Sequence, residues 1–370
     1  MLLTAPSIPS ASGAPQHPRH IPGLDFFRAV AISLVLLYHF GAPVSGPLGV
    51  MIFFVLSGFL ITRLLLNELA KSGTISLSRF YSRRCLRIFP TFYACWALTT
   101  FLMYVHGEHI PKRSALASFL YAMDYMRALS PNAQTSLHMW ISWSLAIEEQ
   151  FYLLWPALLL WLAIKLRKPI AGTGLIVIAV WVHRAILYVL LHATSEYVYN
   201  AFDTRLDALL VGGLLAMLIR DKRFDSVRIR LTRSQWSAML PVALLVAVSI
   251  AETSAIQYPR WAQILSFTLQ PAVVGVLLLQ LVHWAGRDWH ILEHPWIRFL
   301  ARISYALYLY HIVAMDEVSR LNLAHPKWYS AAFTLALAIG SYYLIERPVL
   351  AIRDGKSFGF GLRSFSKKAA

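Results

Sequence analysis

The sequence predicts an all-α integral membrane protein of about ten transmembrane helices, with both termini on the cytoplasmic side. Three observations carry that expectation. Hydrophobic residues make up 58% of the 370-residue chain and charged residues only 14%, against about 25% charged in soluble domains. Ten separated apolar segments approach the roughly 20 residues a spanning helix needs, and the chain's mean hydropathy is +0.55. Lys and Arg gather in alternate loops, which fixes orientation by the positive-inside rule.

The formal net charge of +16 is therefore read as loop decoration and not as a nucleic-acid footprint. The two cysteines, Cys85 and Cys95, suggest neither a disulfide framework nor a metal site.

Residues 1–22 are rich in Pro, Ser and Ala and lack a long apolar core, so they read as a disordered cytoplasmic tail and not as a signal peptide. Residues 23–350 form a single transmembrane domain, and 351–370 a basic cytoplasmic tail. The predicted spans are 24–43, 47–67, 86–106, 141–163, 171–191, 204–220, 236–252, 264–284, 299–318 and 328–346. With the N-terminus inside, the inside loops hold Lys71 to Arg87, Lys165 to Lys168, Arg220 to Arg233 and Arg287 to Arg302, together with the C-terminal tail. The outside loops keep only Lys112, Arg113, Arg127, Arg260, Arg320 and Lys327.

Ionisable residues at bilayer depth are costly and mark function. In FFRAVAISLVLLYHF, residues 26–40, Arg28 and His39 are eleven positions apart. Eleven steps of about 100° make about three turns, so both lie on one helix face, roughly 16 Å apart along the axis. A pathway along that face has a cation at its inner mouth and a base at its far end. The blander alternative pairs Arg28 with Asp25 at i, i+3 and makes His39 a hydrogen-bonded structural residue.

The second span carries Gly49, Ser57 and Gly58, small residues that let helices approach closely. In RFYSRRCLRIFP, residues 79–90, Arg83, Arg84 and Arg87 crowd the start of the third span. Guanidinium forks bind phosphate bidentately, so the cluster suits a phosphate-bearing ligand; a lipid-headgroup anchor is the alternative. Glu148 and Glu149 enter the helix of HMWISWSLAIEEQFYLLWP, residues 138–156. Neighbouring side chains diverge by about 100°, so one of the two is expected to face a central site. There it would orient a histidine or hold a cation, or else sit at the interface. Asp203 and Asp207 flank Arg205 and read either as a charge-balanced helix start or as the outer mouth of a cavity.

Taken in order, G23-L24-D25 through Arg28 and His39, FFVLSGFLIT (53–62), RRCLRIFP (83–90), WSLAIEEQFYLLWP (143–156), TRLDALLVGGLLA (204–216), ISYALYLYHIVA (303–314) and IERPVLAIR (345–353) resemble the acyltransferase-3 family of bacterial integral-membrane O-acyltransferases. The resemblance implies transfer of an acyl group, most often acetyl, from acyl-coenzyme A to a hydroxyl of a carbohydrate or lipid-linked glycan, in the bacterial inner membrane. It maps the family histidine to His39, the family arginine to Arg28, the RxxR element to Arg84 and Arg87, and the acidic position of the WSL element to Glu148. Arg28, Arg84, Arg87 and Arg83 would hold the coenzyme A phosphates, and Glu148 would orient His39. No metal is implied. The chain departs from the family where a histidine often directly precedes the WSL element, because His138 lies five residues before Trp143. Relatives often carry a fused extracytoplasmic hydrolase-like domain, so any second transfer step is expected from a separate partner. The competing class is a proton-coupled transporter, and a weaker third is a non-catalytic assembly protein.

Overall fold

The computed structural model describes residues 21, 23–130, 139–253, 260–285 and 289–353. Nearly all of both predicted tails, and His138, lie outside these residues. Among the described residues there are helices and no strand.

The long helices are α1 Leu24–His39, α2 Gly46–Ser72 and α3 Leu77–Val105, then, after short α4 Lys112–Phe119 and α5 Met123–Leu129, α6 Ser142–Leu160 and α7 Pro169–Ala185. Short α8 Ser195–Asn200 leads into α9 Phe202–Leu218. After α10 Asp225–Leu231 come α11 Met239–Thr253, α12 Arg260–Ala285, α13 Pro295–Arg320, α14 Pro326–Ser341 and α15 Arg347–Arg353. Each of the ten predicted spans falls on one of these helices.

Six helical stretches among the described residues are long and apolar enough to cross a membrane: Gly46–Ser72, Leu77–Val105, Ser142–Lys165, Pro169–Leu190, Arg260–Trp284 and Pro326–Ile352. A seventh follows if the pair Lys222–Leu231 and Gln235–Ile250, bent by 88°, counts as one broken span. The other predicted spans fall short for visible reasons. α1 has 16 residues and α9 has 17. α13 has 26 residues but carries Arg298, Arg302, Asp316 and Glu317.

Local chemistry sets the ends of α2. The Ser45 side chain accepts a hydrogen bond from the Leu48 N–H at 3.0 Å, a Pro sits in the first turn, and Gly73 closes the helix at φ 70°. Serine caps, early proline and left-handed glycine at the exit are the favoured pattern.

α2 runs through the centre of the packing, with most residues from Leu48 to Leu65 buried. It meets α9 where both helices have glycine. A Cβ on Gly58 would lie 1.8 Å from the Leu209 carbonyl oxygen, and one on Gly212 would lie 2.0 Å from that of Val55. At Gly49 a Cβ would lie 2.5 Å from the Ala31 carbonyl oxygen of α1. Only glycine permits backbone contact this close.

A buried ion pair braces α7 against α9. Arg184 and Asp207, with side chains 0% and 1% exposed, pair at 2.7 Å. Arg184 also donates to the Thr204 carbonyl and to Thr268 Oγ1, and Trp181 Nε1–H donates to Asp207 Oδ2. Asp203 accepts hydrogen bonds from the Tyr125 and Tyr197 hydroxyls and pairs with His183 at 2.7 Å. These two aspartates therefore tie helices together, a role that neither reading of the sequence anticipated.

Candidate active site

α1 and α13 pack side by side in the same direction. Arg28 of α1 shares a cavity wall with Arg298 and Arg302 of α13. About two and a half to three and a half turns further on, the His39 and His311 rings meet with centroids 4.8 Å apart at 62°. The pair of helices thus carries arginines at one end and histidines at the other.

Between those ends lies a cavity of about 360 Å³. Arg28, Arg84 and Arg87 line it together with Ser57, Glu148, Glu149 and Tyr152, and Phe53, Phe54, Leu60 and Ile61 supply apolar wall. Ser144 and Tyr308 also line it, toward the histidines. Their hydroxyls are 2.5 Å apart, and the Tyr308 carbonyl accepts a hydrogen bond from His311 Nδ1–H at 2.6 Å.

Of the four arginines singled out from sequence, three are brought together. Arg84 lies over the Phe80 and Tyr152 rings, at 5.8 and 5.5 Å from their centroids. Arg28 also makes the expected i, i+3 contact with Asp25, at 3.8 Å, so the pairing and the cavity-lining position coexist. Arg83 is exposed and lines neither of the two cavities described here.

Glu148 accepts hydrogen bonds from the Ser57 and Tyr152 hydroxyls at 3.1 and 3.0 Å, within electrostatic reach of Arg84 and Arg28. It is placed among the arginines, and the structure does not bring it to His39. Ser57 is accordingly a hydrogen-bond donor to Glu148 as well as a small residue. Both Glu148 and Glu149 line the cavity, where helical divergence suggested one. The cavity wraps around α6, with Glu148 turned to α2 and Glu149 near Arg84 of α3.

His39 Nδ1 lies 2.8 Å from the Val35 carbonyl oxygen. A carbonyl only accepts, so Nδ1 carries the proton and Nε2 of the neutral ring is a bare acceptor. The same logic applies to His311, bonded through Nδ1 to the Tyr308 carbonyl. Both Nε2 atoms are buried without a hydrogen-bond partner among the described residues. Two unprotonated imidazole nitrogens in a dry setting are poised to accept protons. Trp140 closes this end, with its ring 5.9 Å from that of His39 and the Arg127 guanidinium 4.8 Å above it.

His311 was not singled out from sequence, although it lies inside the quoted run ISYALYLYHIVA. A histidine in the middle of an apolar helix was the available signal. Among the described residues, no group of three or more His, Cys, Asp or Glu side chains is arranged to hold a metal.

Comparison with known proteins adds an independent line. Residues 21–346 match the model of the family described as "Acyltransferase domain". The chain is 31% identical over 359 residues to peptidoglycan O-acetyltransferase OatA of Listeria monocytogenes, covering 90% of this chain and 56% of that protein. It is 30% identical over 380 residues to the putative peptidoglycan O-acetyltransferase YrhL of Bacillus subtilis, covering 95% and 57%. Against O-acetyltransferase OatA of Staphylococcus aureus it is 37% identical over 216 residues, covering 54% and 35%. The chain spans little more than half the length of the first two relatives. No solved structure matches. These names are those of O-acetyltransferases and do not favour the transporter reading.

Proposed function

Because the chain belongs to the acyltransferase-3 family, we propose that it is a multi-pass membrane O-acyltransferase that moves an acetyl group from acetyl-coenzyme A to a hydroxyl of an envelope carbohydrate. The observation that carries this reading is one arrangement of side chains. Three arginines and an apolar wall line one cavity, and two unprotonated histidine nitrogens lie beyond its Ser144 and Tyr308 side.

Each part has a physical task. Arg28, Arg84 and Arg87 offer guanidinium donors to the coenzyme A phosphates. The walls of Phe53, Phe54, Leu60 and Ile61 suit the extended pantetheine arm. Glu148, held by Ser57 and Tyr152, keeps Arg28 and Arg84 in place. The positive-inside pattern of the loops puts the arginine end on the cytoplasmic side, where acyl-coenzyme A is available, in the inner membrane.

His39 does the chemistry as general base. Its Nε2 takes the proton of the acceptor hydroxyl while that oxygen attacks the thioester carbonyl carbon. The carbon–sulfur bond then breaks, and the thiolate takes the proton, leaving an ester and free coenzyme A. A transient acyl on His39 uses the same bare Nε2. His311 acts through His39: its own Nε2 accepts a hydrogen bond from the Nε2–H of the protonated ring until that proton passes to the thiolate. General base catalysis of this kind is typically worth about 10²–10⁴-fold in rate.

The relatives' names specify peptidoglycan, which makes a cell-wall glycan the first acceptor to try. The test is to incubate the purified chain in nanodiscs with isotope-labelled acetyl-coenzyme A and cell-wall glycan, then read ester products by mass spectrometry. Labelled O-acetyl ester with matching free coenzyme A is expected. Intact acetyl-coenzyme A and no ester, across a panel of envelope glycans, would remove the reading.

A further inference from the structure

A second cavity, of about 370 Å³, adjoins the first. Arg28 and Arg87 line both, so the two share a wall. The second adds Arg298 and Arg302 from α13, and Tyr342 and Glu346 from the π-helical turn Tyr342–Glu346. Four arginines thus face Asp25 and Glu346 in one space, a clear cationic excess. Arg298 is partly engaged by Glu293 at 2.8 Å, and both α13 arginines are exposed.

The two cavities differ in chemistry. The first is apolar along much of its length and leads toward the histidines; the second is arginine-rich and leads away from them. Glu346 adds an independent sign of a ligand. It is only 6% exposed, and its Oε2 is buried with no hydrogen-bond partner among the described residues. A buried carboxylate oxygen without a donor is costly, and an amine or hydroxyl arriving with a ligand would satisfy it. Arginines for phosphate, a carboxylate for an N–H or O–H, and the Tyr342 ring together describe a site for a phosphorylated nucleoside and not for phosphate alone.

We propose that this second cavity is the site for the 3′-phosphorylated adenosine of the acyl donor, with Arg298 and Arg302 gripping the 3′-phosphate. The assignment rests on acyl-coenzyme A being the donor. It divides labour among the arginines. Arg84, which lines only the first cavity, serves the pyrophosphate and the start of the arm. Arg298 and Arg302, which line only the second, serve the 3′-phosphate. Arg28 and Arg87 stand between. On α13 the arrangement of α1 is thereby repeated, with a phosphate-binding arginine at one end and a histidine at the other.

The experiment compares binding of coenzyme A and 3′-dephospho-coenzyme A to the purified full chain in nanodiscs by calorimetry. Wild type is expected to prefer coenzyme A by about tenfold or more, the usual worth of a hydrogen bond to a charged group. The double variant Arg298→Gln/Arg302→Gln is expected to lose that preference while binding the dephospho form as wild type does, which also shows that it folds. Arg84→Gln is expected to weaken both ligands alike. A double variant that still prefers coenzyme A, or a wild type with no preference, would overturn the assignment while leaving the donor intact. Binding of neither form by wild type would instead overturn the donor reading itself.

Discussion

Replacing His311 isolates its action on His39. The two rings lie 4.8 Å apart, and each ring's Nδ1–H is already committed to a carbonyl of its own helix. When His39 takes a proton on Nε2, the Trp140 indole in contact with it offers no acceptor, because its N–H only donates, whereas the buried Nε2 of His311 is bare. His311 Nε2 is then the neighbouring acceptor. A hydrogen bond to a charged group is worth about 1.5–3 kcal/mol, which converts to roughly 10- to 100-fold in rate. His311→Phe is therefore expected to lower kcat by that factor with KM for acetyl-coenzyme A unchanged. His311→Gln, whose amide oxygen can take the place of Nε2, is expected to recover most of it. In the double variant His39→Ala/His311→Phe, activity should match that of His39→Ala alone, because residues acting as a unit are not additive. The assay is initial-rate coenzyme A release on purified, folded variants. Equal losses in Phe and Gln, or a change confined to KM, would refute the reasoning.

Other outcomes follow from the packing. Gly58→Ala forces a Cβ against the Leu209 carbonyl and should cost on the order of 1–3 kcal/mol, lowering the melting temperature in detergent. Gly340→Ala, inside α14 where a Cβ meets nothing within 4 Å, should raise it slightly, by about 0.4–1 kcal/mol of stability. Asp207→Asn strands the buried Arg184 and should cost about 3–5 kcal/mol, while replacing both partners by apolar residues should cost less; thermal unfolding of the singles and the double checks this. Burial pushes the Asp124 carboxyl up to about 6, against about 4 in an unfolded chain. The folded state then holds a proton that the unfolded state releases. This contribution is full below pH 4, declines as pH rises and is lost above pH 6, on the order of 2–3 kcal/mol in all. Asp124→Asn should flatten that slope and raise the melting temperature at pH 7.

The parts of the site that obey helical spacing were legible in the sequence. Arg28 and His39 share one face because eleven residues close about three turns; spacing alone offers Arg83, Arg84 and Arg87 as one cluster, and it is the family resemblance that pairs Arg84 with Arg87. What escaped depends on contacts between distant segments. Arg298, Arg302 and the pairing of His311 with His39 become visible only when α13 lies parallel to α1, some 270 residues earlier in the chain. Glu148 looked like a partner for the histidine because both are intramembrane ionisable residues; its hydrogen bonds to Ser57 and Tyr152 are set by the depth at which α6 crosses α2. The helices themselves followed the hydropathy pattern. Among the described residues six or seven of the ten meet the length and composition of a membrane span, while α1 and α9 are short and α13 carries charge toward both ends.

His39 carries the chemistry proposed for this protein. Thioester turnover by the purified chain, wild type beside His39→Ala, with cell-wall glycan present and absent and with melting curves to show both proteins folded, puts it at risk. Glycan-stimulated release of coenzyme A that falls by about 10²-fold or more in the variant is the predicted result. Equal release by the two proteins would contradict it and take His39 out of the chemistry.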